Sequence, residues 1–252
     1  MRIFKAYSLW PLTIFLLLTS WSAVADVHLN IPPTKQKTSN WCWLAVGEMV
    51  FTYYGEPNAN CDGNYQCGIV GILAGSDDAC WNDCSLCEMN AGNFRPPLDW
   101  RQTMMGMLMR YPREAATFTR RKAKDLKVEL SGHPLSPHAL ITELDARRPV
   151  IAGVSPDKAE FDSDGITQHV VLIVGYERPR SKLVLIVNDS ARYEPANDPY
   201  LAARGKPYGK HRYKIEYEAF KQGLLWMETF YGLEPRTNGR RHKAAHYCPI
   251  EH

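Results

Sequence analysis

The apolar positions of this chain change rhythm along its length. From Trp43 to Tyr54, residues Leu44, Val46, Met49, Val50 and Tyr53 recur at helical spacing, with Asn40 placed to cap the start and Gly55 and Pro57 to stop it. Arg95-Pro96-Pro97 marks a break, and Leu98 to Met109 then has helix-forming composition with a methionine-rich face suited to filling core gaps. Ser136-Pro137 opens a short helix through Leu144, serine as cap and proline at the first helical position. Strands follow. Pro149 to Val154 leads into one, and the unbroken apolar run Val170 to Tyr176, opened by His169, reads as a buried one. Leu183 to Val187 is the next, after the charged turn Glu177 to Lys182, and it ends in Asn188-Asp189-Ser190. Beyond a polar loop with Pro195, Pro199 and Pro207, Arg212 to Tyr217 and Leu225 to Leu233 read as strands of an antiparallel sheet. The pattern predicts an α+β domain in which a helical half faces a sheet half.

Some stretches do not follow that rhythm. Arg2 and Lys5, the apolar residues Leu9 to Leu18 and Ala23-Val24-Ala25 read as a signal peptide over residues 1–25, cleaved near Ala25. That apolar stretch is too short for a membrane span, so residues 26–252 are expected as one soluble, secreted or periplasmic domain. The lead-in Ile31-Pro32-Pro33 reads as extended, and Asp26 to Lys35 is too short to fold over a cleft as an inhibitory pro-segment. Residues 58–95 form an insertion rich in Asn, Gly, Asp and Cys with few apolar residues, and residues 234–252 form a polar, basic tail. The loop Asp157 to Gln168 delivers His169 and is expected beside any cleft.

The net charge of +3, two units of which lie on Arg2 and Lys5, gives no reason to expect nucleic acid. Locally, Arg110 to Lys127 is basic, a solvated face or a contact for anionic envelope polymers. All seven cysteines lie beyond residue 25. In an oxidising compartment Cys61, Cys67, Cys80, Cys84, Cys87 and Cys248 would pair as disulfides and leave Cys42 free. A zinc site from Cys80, Cys84 and Cys87 with Cys61 or Cys67 is the competing account, and His242-x3-His246 near Cys248 is a second metal-like spacing. Disulfides are the preferred reading, with no metal and no cofactor expected.

The chemistry concentrates in two places. Cys42, between Trp41 and Trp43, falls at a predicted helix start, where the helix dipole and a nearby imidazolium favour a thiolate. Trp41 and Trp43 read as packing residues, Trp41 also as a candidate wall of a cleft. Gln36, one short loop upstream, could join the Cys42 backbone N–H in donating to an oxyanion. His169 follows roughly 130 residues later, the separation of thiol and imidazole in papain-type enzymes. Either Asn188 or Asp189 could accept from its ring and fix its tautomer.

Gln36-x5-Cys42-Trp43, His169 with its apolar strand and Asn188-Asp189 at the end of the next strand resemble the papain-like cysteine protease superfamily. The match is to the bacterial papain-like peptidases related to the peptidase domains of bacteriocin exporters. The resemblance implies Gln36 as oxyanion-hole donor, Cys42 as nucleophile, His169 as general base and acid, and Asp189 as orienter, with Asn188 its rival. It departs from papain's Cys-Gly-Ser-Cys-Trp segment and third-place asparagine, so papain's subsite preferences are not carried over. The expected activity is hydrolysis of amide bonds in peptides or proteins through a thioester. Alternatives are a cell-wall amidase or transamidase with the same triad, or a non-catalytic disulfide-stabilised binding protein. Alanine at Cys42 or at His169 is expected to abolish turnover at little cost in stability.

Overall fold

Strand β4 (His169–Glu177) is buried along all but its two end residues, which is why its sequence is a run of apolar residues rather than an alternation. The computed structural model describes residues 26–60, 62–74, 99–119, 124–156 and 169–237. Within them, β4 lies inside an antiparallel sheet with β1 (Val27–His28), β2 (Lys124–Ser131), β3 (Val150–Val154), β5 (Val184–Asn188), β6 (Lys206–Pro207), β7 (Arg212–Glu216) and β8 (Trp226–Thr237). The order is β2-β8-β3-β4-β5-β7-β6, and β1 adds to β4 through Val27↔Tyr176 and His28↔Gly175. A Cβ on Gly175 would stand 2.3 Å from the Val27 carbonyl oxygen, so only glycine lets the lead-in lie this close.

The helical half is α1 (Cys42–Tyr53), α2 (Tyr65–Ala74) and α3 (Trp100–Phe118), packed on one another, with α1 also against β4. Further along come α4 (Pro137–Asp145), α5 (Pro199–Ala202) and α6 (Tyr217–Gly223). Helix α1 is apolar nearly all round and is buried from Trp43 to Val46 and again at Met49, Val50 and Phe51. Phe51 stacks on Tyr111 of α3 at 4.6 Å, and Gly47 lets Met107 approach. Helix α4 is capped as expected, Ser136 Oγ accepting from Ala139 N–H. The α+β architecture, helices against an antiparallel sheet, fits a papain-like fold.

Several expectations are corrected. The insertion is not devoid of core: α2 lies inside it and buries Ile69, Val70 and Ile72. Helix α3 runs on through Pro112 to Phe118, and the basic stretch is divided between its last turns and β2. There Arg110 pairs with Glu114 and Arg113 with Asp125, so part of the positive charge is already matched. The α1 N-cap is Trp41 rather than Asn40, with no side-chain cap. Trp41 is wholly buried and so packs the core instead of walling a cleft. The polar loop after Ser190 contains α5, whose Tyr200 is fully buried, and β8 continues through Thr237, past the start proposed for the tail.

Residues 1–25, Cys61, Cys80, Cys84, Cys87, Cys248, the loop Asp157 to Gln168, Arg120 to Lys122 and the His242 and His246 pair lie outside the described residues. Cys42 is a free thiol, whereas Cys67 is bonded in a disulfide. Among the described residues no helix is long and apolar enough to cross a membrane, and no group of three metal-ligating side chains gathers.

Candidate active site

Helix α1 begins on Cys42 itself. The first bond of its ladder runs from Ala45 N–H to Trp41 C=O, so the Cys42 N–H lies before that ladder, and no side chain caps the end. A donor beside a half-buried thiol is thereby left for another acceptor.

His169 opens β4, and its side chain retains a tenth of its exposure. Nε2 lies 2.7 Å from Asp189 Oδ1, so Nδ1 is the ring nitrogen left for the Cys42 thiol. Burial pulls the imidazole pKa down. The charge of Asp189, then that of Cys42, and the hydrogen bonds to both outweigh it and hold the pKa well above the ordinary 6.5. For Asp189, burial raises the pKa, but the imidazolium, the Ala191 N–H and the Tyr200 hydroxyl bring it below the ordinary 3.8. The signs fix a stability window. The lowered carboxylate stabilises the fold above 3.8 and loses that contribution as pH falls through its folded pKa. The raised imidazole stabilises it below 6.5 and loses its contribution as pH rises through its own folded pKa. Between those two values both contributions are complete.

Asn188 and Asp189 part company at the end of β5. Asn188, still in the strand, donates from Nδ2 to the Ile31 carbonyl at 2.9 Å and accepts from Arg212 Nε at 2.7 Å, which fastens the lead-in to the sheet. Asp189, the next residue, faces His169, as the alternation of side chains along a strand requires of one of the pair. Its Oδ1 also accepts from Ala191 N–H at 2.8 Å, and its Oδ2 from Tyr200 Oη at 2.9 Å and Tyr193 Oη at 3.2 Å. Tyr200 in turn stacks on Tyr213 with ring centroids 3.9 Å apart. The sequence reading missed both tyrosines. Their signal was faint, two aromatic residues in a proline-bearing polar loop.

Gln36 is held from three directions. Its N–H donates to Ser190 C=O at 3.2 Å, its Oε1 accepts from Ser190 Oγ at 2.9 Å, and its Nε2 donates to Ser39 C=O at 2.7 Å. One Nε2 hydrogen is used there and the second remains to donate. Gln66 of α2, absent from the sequence reading, fixes the backbone on both sides of Gln36. Its Nε2 donates to Lys35 C=O at 3.0 Å and to Glu48 Oε2 at 2.9 Å, while its Oε1 accepts from Lys37 N–H at 3.0 Å. Gln66 is wholly buried, so Gln66→Leu strands these partners at ~1–3 kcal/mol each. In that variant kcat is expected to fall about tenfold with KM little changed; a fall in melting temperature alone would limit Gln66 to stability.

The structure thus joins His169 to Asp189, ties Gln36 to Ser190 beside that aspartate, starts α1 on Cys42, and directs Asn188 away to Ile31 and Arg212. A comparison with curated proteins found no match. A model of the Peptidase_C39 like family matches residues 28–224, a span that contains all of these residues, and the chain belongs to that family, a papain-like type of cysteine peptidase.

Proposed function

We propose that the protein is an exported peptidase in which Cys42 is the nucleophile, His169 the general acid and base, Asp189 the orienter of His169, and Gln36 with the Cys42 N–H the oxyanion hole. The observation that carries this reading is the line from Asp189 through His169 to Cys42. It couples a buried carboxylate 2.7 Å from Nε2 to an imidazole whose proton Asp189 and Cys42 together hold, leaving Nδ1 for the thiol. The Cys42 thiolate attacks the scissile carbonyl carbon, and the oxyanion is met by the two N–H donors. Imidazolium gives its proton to the leaving amine nitrogen, the C–N bond breaks and a thioester remains. Water then attacks the thioester as the imidazole takes its proton, and the acid and the thiolate are released. A cell-wall amidase or a transamidase would share the first half of this course and differ in the acyl donor or in the acceptor. Peptide or protein substrate follows from the family. Export is supported by the pattern of residues 1–25 and by the disulfide at Cys67.

The test is alkylation of the native protein with a thiol reagent, followed by peptide mapping across a pH series. The adduct is expected on Cys42, and kcat/KM on a peptide substrate is expected to fall on the alkaline side only as His169 loses its proton. Because Asp189 and Cys42 hold that proton, the alkaline limb lies well above pH 6.5, and Asp189→Ala moves it toward neutrality. An unreactive Cys42 in the folded protein would end this reading.

A further inference from the structure

Beside the catalytic line lies an open cavity of about 390 Å³ whose ionisable lining is basic: Lys35, Arg192, Lys210 and His211, with Tyr193 and Tyr213 completing the wall. Lys35, Arg192 and Lys210 are exposed and make no ion pair among the described residues. Elsewhere the fold does match cations near its sheet, as in Lys214 with Glu177 and Arg148 with Glu143. Two buried carboxylates bonded to the lining tyrosines are already engaged. Asp189 is spent on His169, Ala191, Tyr193 and Tyr200, while Asp198 caps α5 and accepts from Tyr213 Oη.

The cavity is built from the same pieces that hold the catalytic groups. Tyr193 donates its hydroxyl to Asp189. His211 Nδ1 sits 2.9 Å from Ala191 C=O, while the His211 carbonyl accepts from the Asp189 N–H. Lys35 directly precedes Gln36, and its carbonyl is gripped by Gln66. The cavity therefore adjoins the residues that hold Asp189 and Gln36, and it carries three cations that make no ion pair among the described residues.

Resting on the peptidase reading, we propose that this cavity is a specificity subsite for a substrate carboxylate close to the scissile bond. Two sources share that chemistry, an Asp or Glu side chain and a free C-terminal carboxylate, and the test separates them. A mixed peptide library is digested in two forms, with free and with amidated C-termini, and the products are read by mass spectrometry. Side-chain recognition gives enrichment of Asp and Glu over Asn and Gln at one fixed position in both forms. Terminal recognition gives cleavage a fixed short distance from the end, lost on amidation. Either preference is expected at about tenfold, the sum of several part-solvated charge contacts, and to weaken with salt.

In the Lys35→Gln, Arg192→Gln, Lys210→Gln protein the preference should shrink toward one, and Arg192→Glu alone should turn it toward basic residues. Cleavage without carboxylate preference, or a preference that survives the triple replacement, overturns the proposal while leaving the peptidase reading standing. A binding arm is independent of turnover. In Cys42→Ala protein, ligand-observed NMR compares acetyl-Ala-Ala-Glu-Ala-amide, its glutamine twin, and the twin with a free C-terminus. Binding of a carboxylate-bearing peptide over the amidated twin supports the subsite even if no library member is cleaved; equal binding of all three refutes it.

Discussion

Cys42→Ala protein is expected to hydrolyse peptides ~10⁴-fold more slowly than wild type, or not measurably, because no other group described here can form the thioester. Its melting temperature should stay within a few degrees of wild type. Cys42 is half-buried at a helix start, and alanine is both a better helix former and a smaller version of the same side chain. His169→Ala should abolish turnover as well, yet the structure revises the expectation that it leaves stability untouched. Asp189 has no exposure at all, and removing its imidazolium strands a buried carboxylate, a loss of about 3–5 kcal/mol. Calorimetry of the two variants beside kcat/KM checks both halves. More than a hundredth of wild-type activity in folded Cys42→Ala protein would eliminate the proposed chemistry.

The second large effect separates neighbours. Asp189→Ala is expected to lower kcat/KM at least ~10-fold, equivalent to about 1.4 kcal/mol of transition-state stabilisation, because the imidazolium loses its counter-charge and its tautomer is no longer fixed. Asn188→Ala should read out mainly as stability. It removes two hydrogen bonds, to the Ile31 carbonyl and from Arg212 Nε, worth about 0.5–1.5 kcal/mol each, while Arg212 Nη2 still donates to that carbonyl and kcat of the folded fraction changes little. Denaturant titration gives the first quantity and single-turnover kinetics the second. A larger loss of kcat at Asn188 than at Asp189 would transfer the orienting role.

The elements that bury a continuous apolar run were legible from sequence. β4 is fully covered and reads as such, α1 begins beside the expected thiol, and β3, β5 and β7 fall within a residue or two of their predicted bounds. Helix α2 was not, since Ile69, Val70 and Ile72 form a short apolar run between glycines, where helix and strand periods cannot be told apart. The environment of the site was hidden for a different reason. Tyr200 reaches Asp189 across a loop, and Gln66 grips backbone atoms some thirty residues away. A bond between a side chain and a distant main chain leaves no spacing in the sequence. The choice between Asn188 and Asp189 needed only the strand's phase, which the alternation rule constrains but does not supply.

From the sequence, residues 58–95 look like an ornament that could be trimmed to obtain a smaller catalyst. The hold of Gln66 on the main chain at Lys35 and Lys37 argues otherwise. A shortened protein would lose both the brace on the residue between those two lysines and the packing of α2 against α1, the helix that begins on Cys42. Any minimal version must therefore carry α2 with it, cysteine and all.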